Sequence, residues 1–281
     1  SPVGHYCNRL YHTMSDAVPY FTSSPTMVVL TPGVHNSAYF EHSFLAQQMG
    51  IALVEGKDLY VENDKVYMKT ISGGLRVDCI YRRLNDTYLD PKAFFKGSLI
   101  GVPGLFKAYR KGNVGIINAP GTGVADDKVI YSYVPDMIKY YLGEDPKIGQ
   151  VETFRCFDEK HRNHVLNNMT KMVVKPADGS GGNGIMIGPK SKVSEREEFQ
   201  KKIIKNPRNY VGQPLEILST TPTLQGECFE PRHQDLRPFI LLNKETYVTA
   251  GGLTRVALKK GSTIVNSSRG GGSKDTLIVD I

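Results

Sequence analysis

The sequence predicts a protein of α/β and α+β character in two parts, a parallel-sheet first third followed by a mixed region. Three observations carry this. Strand, helix and strand alternate through the first hundred residues, as they do where helices cover the faces of a parallel sheet. Near residue 175 a strand, a glycine-rich loop and a second strand follow one another. Beyond residue 210 the pattern becomes a series of strands that read as antiparallel. The alternation gives way near residues 119–125, which predicts one domain over residues 1–120 and a second over 121–281.

Thr26–Leu30 is a β-rich apolar run halted by Thr31-Pro32-Gly33. Ser37–Met49 carries Ala38, Phe40, Phe44, Leu45 and Met49 at helical spacing, and Gly50 closes it. Ile51–Val54 reads as a second strand, and Leu59–Val61 with Val66–Met68 as a hairpin turning at Glu62-Asn63-Asp64-Lys65. Val77–Tyr81 and Val114–Asn118 are further strands, separated by a short helix near Gly104–Tyr109. Pro120-Gly121-Thr122-Gly123 leads through Asp126-Asp127-Lys128 into an amphipathic helix expected to run to about Leu142. Strand, helix, strand, loop, strand and helix then lead to the strands Val211–Ile217, Asp235–Leu242, Thr246–Ala250 and Leu253–Leu258.

Composition narrows the function classes. Of 281 residues 40% are hydrophobic and 22% charged, enough for a core, and no apolar run reaches the length of a membrane helix. The 35 basic and 28 acidic side chains leave a net charge of +7 without a block of five like charges. That suggests a locally basic cleft for an anionic small molecule more than a nucleic-acid surface. Four scattered cysteines form neither a disulfide scaffold nor a CxxC pair. The opening Ser1-Pro2-Val3-Gly4 has no initiator Met and no secretory pattern, so a cytoplasmic fragment or processed chain is expected.

The loop Ala177-Asp178-Gly179-Ser180-Gly181-Gly182-Asn183-Gly184 follows Met172–Pro176 and precedes Ile185–Gly188. Glycines let a backbone approach a ligand closely and turn N–H groups toward phosphate oxygens, and Lys175 adds charge on the entering strand. A Walker or dinucleotide loop is followed by a helix; here a strand follows, so the loop reads as a hairpin flap over a nucleotide or as a plain glycine-rich turn. Lys128 supplies a second cation, and Gln213 stands on a strand that could run along an adenine. Asp235 and Arg237 alternate, so they face the same side of their strand. His161 and His164, at i and i+3 beside Asp158 and Glu159, read as a solvated helix face more readily than as a metal pair.

The chain closely resembles the circularly permuted ATP-grasp proteins, a glutathionylspermidine-synthase-like family, over roughly residues 26–281. The likeness is carried by Leu30-Thr31-Pro32-Gly33, Asn36–His42, Leu53–Gly56, Tyr81-Arg82-Arg83, Asn118–Lys128 and the Lys175 loop, then by Pro231–Phe239, Gly251–Leu258 and Asn266–Gly272 with Lys274-Asp275-Thr276. It implies an ATP-grasp fold beside a preceding Rossmann-like or flavodoxin-like α/β domain. It also implies ATP- and Mg²⁺-dependent ligation of a small-molecule or peptide carboxylate to an amine or thiol through an acylphosphate. By motif, Lys128 and Lys175 bind phosphates beneath the loop of Gly179, Ser180, Gly181, Gly182 and Gly184. Gln213 lies at the adenine hinge, and Asp235 joins the nucleotide site. Arg237 and Arg255 stabilise the transferring phosphoryl group, and Asn266 and Arg269 lie toward the acyl acceptor. The resemblance leaves Asn36–His42 and Tyr81–Arg83 without derived chemistry; Asn36 and Ser37 suit a helix cap equally well.

One departure stands out. The family holds Mg²⁺ with an acidic residue and a Glu-x-Asn ahead of the Leu-Thr-Pro-Gly motif, and Ser1–Ser24 holds no Glu-x-Asn. The metal ligands are therefore expected outside this sequence, and Glu62-Asn63-Asp64, in a turn, is not taken as a substitute. A nucleotide-binding protein without ligase activity, a phosphotransferase and a basic nucleic-acid binder remain the competing readings.

Overall fold

The computed structural model describes residues 3–179, 184–263, 265, 270–276 and 278. The backbone divides into two compact units, Ser1–Thr122 with Leu236–Thr254 and Ser273–Ile281, and Gly123–Asp235 with Arg255–Gly272.

The first unit starts with a helix not expected from the sequence, α1 (Tyr6–Asp16), whose Cys7, Leu10 and Met14 form one buried face. Then follow β1 (Met27–Leu30), α2 (Tyr39–Met49) and β2 (Ala52–Val54). Left-handed Gly50 ends α2 where a helix needs such a residue. A three-stranded antiparallel sheet intervenes: β3 (Leu59–Glu62), β4 (Lys65–Thr70) and β5 (Gly73–Arg76), the last not expected. Asn63 and Asp64 turn β3 into β4 at φ of 49° and 58°, the pair of positive values a two-residue hairpin favours. Asp64 there pairs with Lys107 at 2.8 Å and with Lys111, so its carboxylate is neutralised at the turn. β6 (Cys79–Arg82), α3 (Asp86–Leu89), α4 (Leu105–Arg110) and β7 (Gly115–Ile117) complete the series.

β2, β1, β6 and β7 make a parallel sheet in that order. Its strands bury both faces. Val28, Leu30, Ile80 and Ile116 pack with Leu105 and Ala108 of α4, while Met27, Val29 and Cys79 pack with α1 and α2. An apolar run such as Met27–Leu30 is what a strand covered on two sides requires.

The second unit opens with α5 (Lys128–Tyr131) and α6 (Val134–Leu142). The single helix expected over this stretch is two, because α5 ends at Tyr131, capped by Ser132, and Pro135 takes a first-turn position of the next. β8 (Phe154–Arg155), α7 (Glu159–Asn167), β9 (Met172–Pro176), β10 (Met186–Ile187), α8 (Val193–Lys205) and β11 (Tyr210–Pro214) follow. The strands form an antiparallel sheet ordered β10, β9, β11, β8. Val174, Met172 and Met186 pack on one side against Val165, Phe199 and Ile203 of the two helices.

β11 therefore ends at Pro214 and sits inside this sheet, where the sequence reading ran it to Ile217 among the later strands. Those later strands are β12 (Thr220–Gln225), β13 (Cys228–Leu242), β14 (Thr246–Ala257) and β15 (Gly271–Lys274), paired in order. The two runs expected on either side of Gly251-Gly252 are one strand, β14, which pairs with β13. The division between units falls within β13 and β14.

Among the described residues, no helix is long and apolar enough to cross a membrane.

Candidate functional site

The antiparallel register of the second unit assembles a polar cluster from residues far apart in sequence. Val211 of β11 lies opposite Arg155 of β8 on one side and Lys175 of β9 on the other. Directly opposed residues of antiparallel strands project from one face, so Arg155, Val211 and Lys175 form a row. Gln213, two residues on from Val211, shares that face. The opposite face carries Phe154, Met172 and Val174 into the core under α7 and α8.

The contacts follow from this arrangement. Lys175 Nζ donates to Gln213 Oε1 at 2.6 Å, and Gln213 Nε2 donates to Thr153 Oγ1 at 2.8 Å. The buried Gln213 side chain thus spends its hydrogen bonds holding Lys175. Lys128 reaches the same neighbourhood from α5. Asp127 caps that helix, accepting from Val129 N at 2.8 Å, and pairs with Arg208 at 2.7 Å. Lys128 N donates to Ala177 O at 2.9 Å, and its Nζ to Pro176 O at 3.0 Å and Gly179 O at 2.6 Å. Val129, Tyr133, Ala177 and Val211 pack together beneath these groups.

Burial, and then the neighbouring Lys128 charge, hold the Lys175 ammonium below the usual lysine range. Among the described residues neither Lys128 nor Lys175 has a carboxylate within ion-pair distance. Paired cations satisfied only by carbonyl oxygens form a site with surplus positive charge, which suits a polyphosphate. Gly179 and Gly184 flank the loop above, and a Cβ on either would meet the Pro176 ring at 3.1 Å. Ser180, Gly181 and Gly182, expected in the same loop, lie outside the described residues.

Asp235 and Arg255 meet each other. Arg255 Nε donates to Asp235 Oδ1 at 2.9 Å, and its Nη2 pairs with Oδ2. The Asp235 carboxylate raises the Arg255 pKa further above its ordinary value. Arg237 belongs to the first unit, on β13. Asn266 and Arg269 lie outside the described residues. Among the described residues no three His, Cys, Asp or Glu side chains converge as a metal site. His161 Nδ1 instead accepts from Arg155 N at 3.2 Å, and His164 stacks on Phe154 with centroids 4.3 Å apart.

Arg155 is the residue that sequence reasoning passed over. Its guanidinium lies 4.3 Å from the Tyr133 ring centroid, and its buried Nε has no hydrogen-bond partner among the described residues. An orphaned buried donor is costly unless something accepts from it. The available signal was the alternation Thr153-Phe154-Arg155-Cys156, polar and apolar by turns. Arg155→Met is expected to weaken binding of inorganic tripolyphosphate about 10-fold, the worth of one charge-assisted hydrogen bond. Calorimetric titration measures this, and unchanged affinity would leave Arg155 a packing residue.

Residues 1–257 match the family model described as circularly permuted ATP-grasp type 2. An uncharacterised protein of Synechocystis sp. is 54% identical over 279 residues, which are 99% of this chain and 58% of that one. A protein of Frankia casuarinae, provisionally named glutamate–cysteine ligase 2-2, is 48% identical over 258 residues, covering 92% of this chain and 30% of its own. The chain spans about half the length of the first curated relatives it matches. Among solved structures, a glutathione-synthetase-like effector from Globodera pallida aligns with a TM-score of 0.50 at 12% identity, over 91% of this chain and 59% of the other.

Proposed function

The chain belongs to the circularly permuted ATP-grasp type 2 family, and from that premise we propose that it binds ATP and serves an ATP-dependent ligase joining a carboxylate to an amine. The observation that carries this is the sheet face on which Lys175, Gln213, Thr153 and Arg155 stand with Lys128 beside them. The provisional name of the Frankia relative, a glutamate–cysteine ligase, belongs to the same class of reaction.

In this reading residues 121–281 bind the nucleotide and residues 1–120 serve the substrates. Lys128 and Lys175 hold the phosphates, and Gln213 keeps Lys175 aimed at them and borders the adenine. The hydrogen bonds from Lys128 to Pro176 and Gly179 hold the start of the glycine-rich loop at the phosphate end. Arg255, oriented by Asp235, offsets charge on the transferring phosphoryl group. A carboxylate oxygen attacks the γ-phosphorus, ADP leaves, and an acylphosphate forms. The amine then attacks the acyl carbon, loses a proton, and phosphate departs carrying the former carboxylate oxygen. Mg²⁺ would neutralise polyphosphate charge in such a reaction. The described residues offer it no converging ligand set, so no step is assigned to it. In the same reading the protein works in the cytoplasm on small molecules and has no nucleic-acid partner.

Two measurements test the proposal. Titration with a non-hydrolysable ATP analogue is expected to give saturable binding, and absence of binding would remove the nucleotide reading. Carboxylate-¹⁸O-labelled amino acids, supplied with ATP, Mg²⁺ and pooled amines, are expected to deliver ¹⁸O to inorganic phosphate. ADP release without the label would favour a phosphotransferase or a hydrolase.

A further inference from the structure

The first unit holds a second polar cluster at the carboxyl end of its parallel sheet. The four strands run in the order β2, β1, β6, β7, so the chain leaves β1 to one side and returns on the other. The β1–β6 pair is therefore the switch point, outside whose carboxyl ends open α/β sheets hold their ligands. Leu30-Thr31-Pro32-Gly33 and Tyr81-Arg82-Arg83, motifs that the proposed ATP chemistry does not use, end there. Arg83 N donates to Leu30 O at 2.8 Å and joins them.

The groups at this edge are specific. Thr31 and His42 are 1% and 2% exposed, and Thr31 Oγ1 meets His42 Nδ1 at 2.9 Å. Among the described residues His42 Nε2 has no hydrogen-bond partner. Burial, then the Arg83 charge, pulls the imidazole down to about 4, so it stays neutral at physiological pH. Gly33 has φ of +108°, and a Cβ there would stand 3.4 Å from the Glu55 carboxyl carbon. The half-buried Arg83 guanidinium donates to the Tyr81 hydroxyl at 3.3 Å. It reaches only a loose partner in Glu41, 3.8 Å away and two-thirds exposed.

We propose that Arg83, with Tyr81, His42 and the Thr31–Gly33 turn, forms a binding site for the carboxylate of a small organic acid at the β1–β6 switch point. One planar guanidinium beside neutral donors fits a single carboxylate, which it can grip with two parallel hydrogen bonds. Glu41 and Glu55 alongside make a doubly charged phosphate the poorer occupant. That the bound acid is a substrate rests on the ligase reading; the binding itself does not.

The test is a titration of ¹⁵N-labelled protein with L-glutamate, and separately with inorganic phosphate, followed through the amide signals of Thr31, Gly33 and Arg83. L-Glutamate is expected to move these signals saturably. Arg83→Gln is expected to weaken the response at least ~10-fold, as loss of a bidentate charged contact does. Arg83→Lys, which keeps the charge without the fork, is expected to weaken it as well, so the result stands if the first variant folds poorly. Lys175→Met is expected to leave the L-glutamate response intact while binding the ATP analogue more weakly, which separates failure here from failure of the nucleotide site. Absent or unsaturable shifts, a response undiminished from the native protein's in both Arg83 variants, or a stronger response to phosphate than to L-glutamate would overturn the site.

Discussion

Replacing Lys175 by Met is expected to lower affinity for a non-hydrolysable ATP analogue by about 10- to 100-fold, the range for losing one or two hydrogen bonds from a cation to a phosphate. The same change is expected to leave the protein at least as resistant to unfolding. The two signs differ because the ammonium does opposite things to folding and to binding. Burial and the Lys128 charge depress its pKa in the folded chain, so the unfolded chain holds that proton more tightly. A lysine in that condition contributes stability that rises as pH increases through the window between its lowered value and 10.5. Methionine keeps the length of the stem, removes the desolvated charge, and abolishes that part of the pH dependence. Gln213 loses a donor at Oε1, at a cost near 1 kcal/mol, against the relief of the Lys128–Lys175 repulsion. Analogue binding by the native protein is in turn expected to weaken with rising pH earlier than an ordinary lysine would dictate. A variant that binds normally would remove Lys175 from the phosphate site. A variant that binds poorly and also melts early would show only that the sheet had been damaged.

How far the sequence revealed this site depends on what kind of proximity each residue needs. The alternating strands and helices of the first unit were legible because the signal is local. Met27–Leu30 buries all four residues between two layers, and Gly50 marks the end of α2 in the sequence itself. The helix α1 escaped because three apolar residues, Cys7, Leu10 and Met14, are a weak periodic signal among polar neighbours. Lys128, Lys175 and the glycines were found as motifs, yet their mutual arrangement was not. It arises from cross-strand register, which places Arg155 opposite Val211 and Val211 opposite Lys175. Period-2 reasoning along one strand set Asp235 beside Arg237. The partner that Asp235 grips with both oxygens is Arg255, twenty residues on, from the neighbouring strand. Gln213 shows the same lesson from the other side. The motif pointed to an adenine edge; what the register adds is that the same side chain holds Lys175 and Thr153.

Arg82→Ala is expected to destabilise the first unit by about 3 kcal/mol or more, the scale for removing one member of a buried charged network. Arg82, 9% exposed, is the neighbour of the proposed carboxylate-binding Arg83 and does different work. Its Nε donates to Asn118 O at 2.5 Å, its Nη1 to Leu84 O at 2.8 Å and its Nη2 to Ala119 O at 3.1 Å. Asp86 Oδ1 lies 2.7 Å from Nη2, close enough for an ion pair though not aligned as a hydrogen bond. The other Asp86 oxygen accepts from Gly121 N at 3.1 Å. One guanidinium thus ties the end of β6 to the segment after β7, which runs on toward Lys128. Alanine would strand three carbonyls and a carboxylate at once. Arg82→Lys is expected to recover less than half of the loss, because a single ammonium cannot match a fork that serves three carbonyls in a plane. Denaturant unfolding of the two variants reads this directly, and a loss below about 1 kcal/mol for alanine would mean that water replaces the guanidinium.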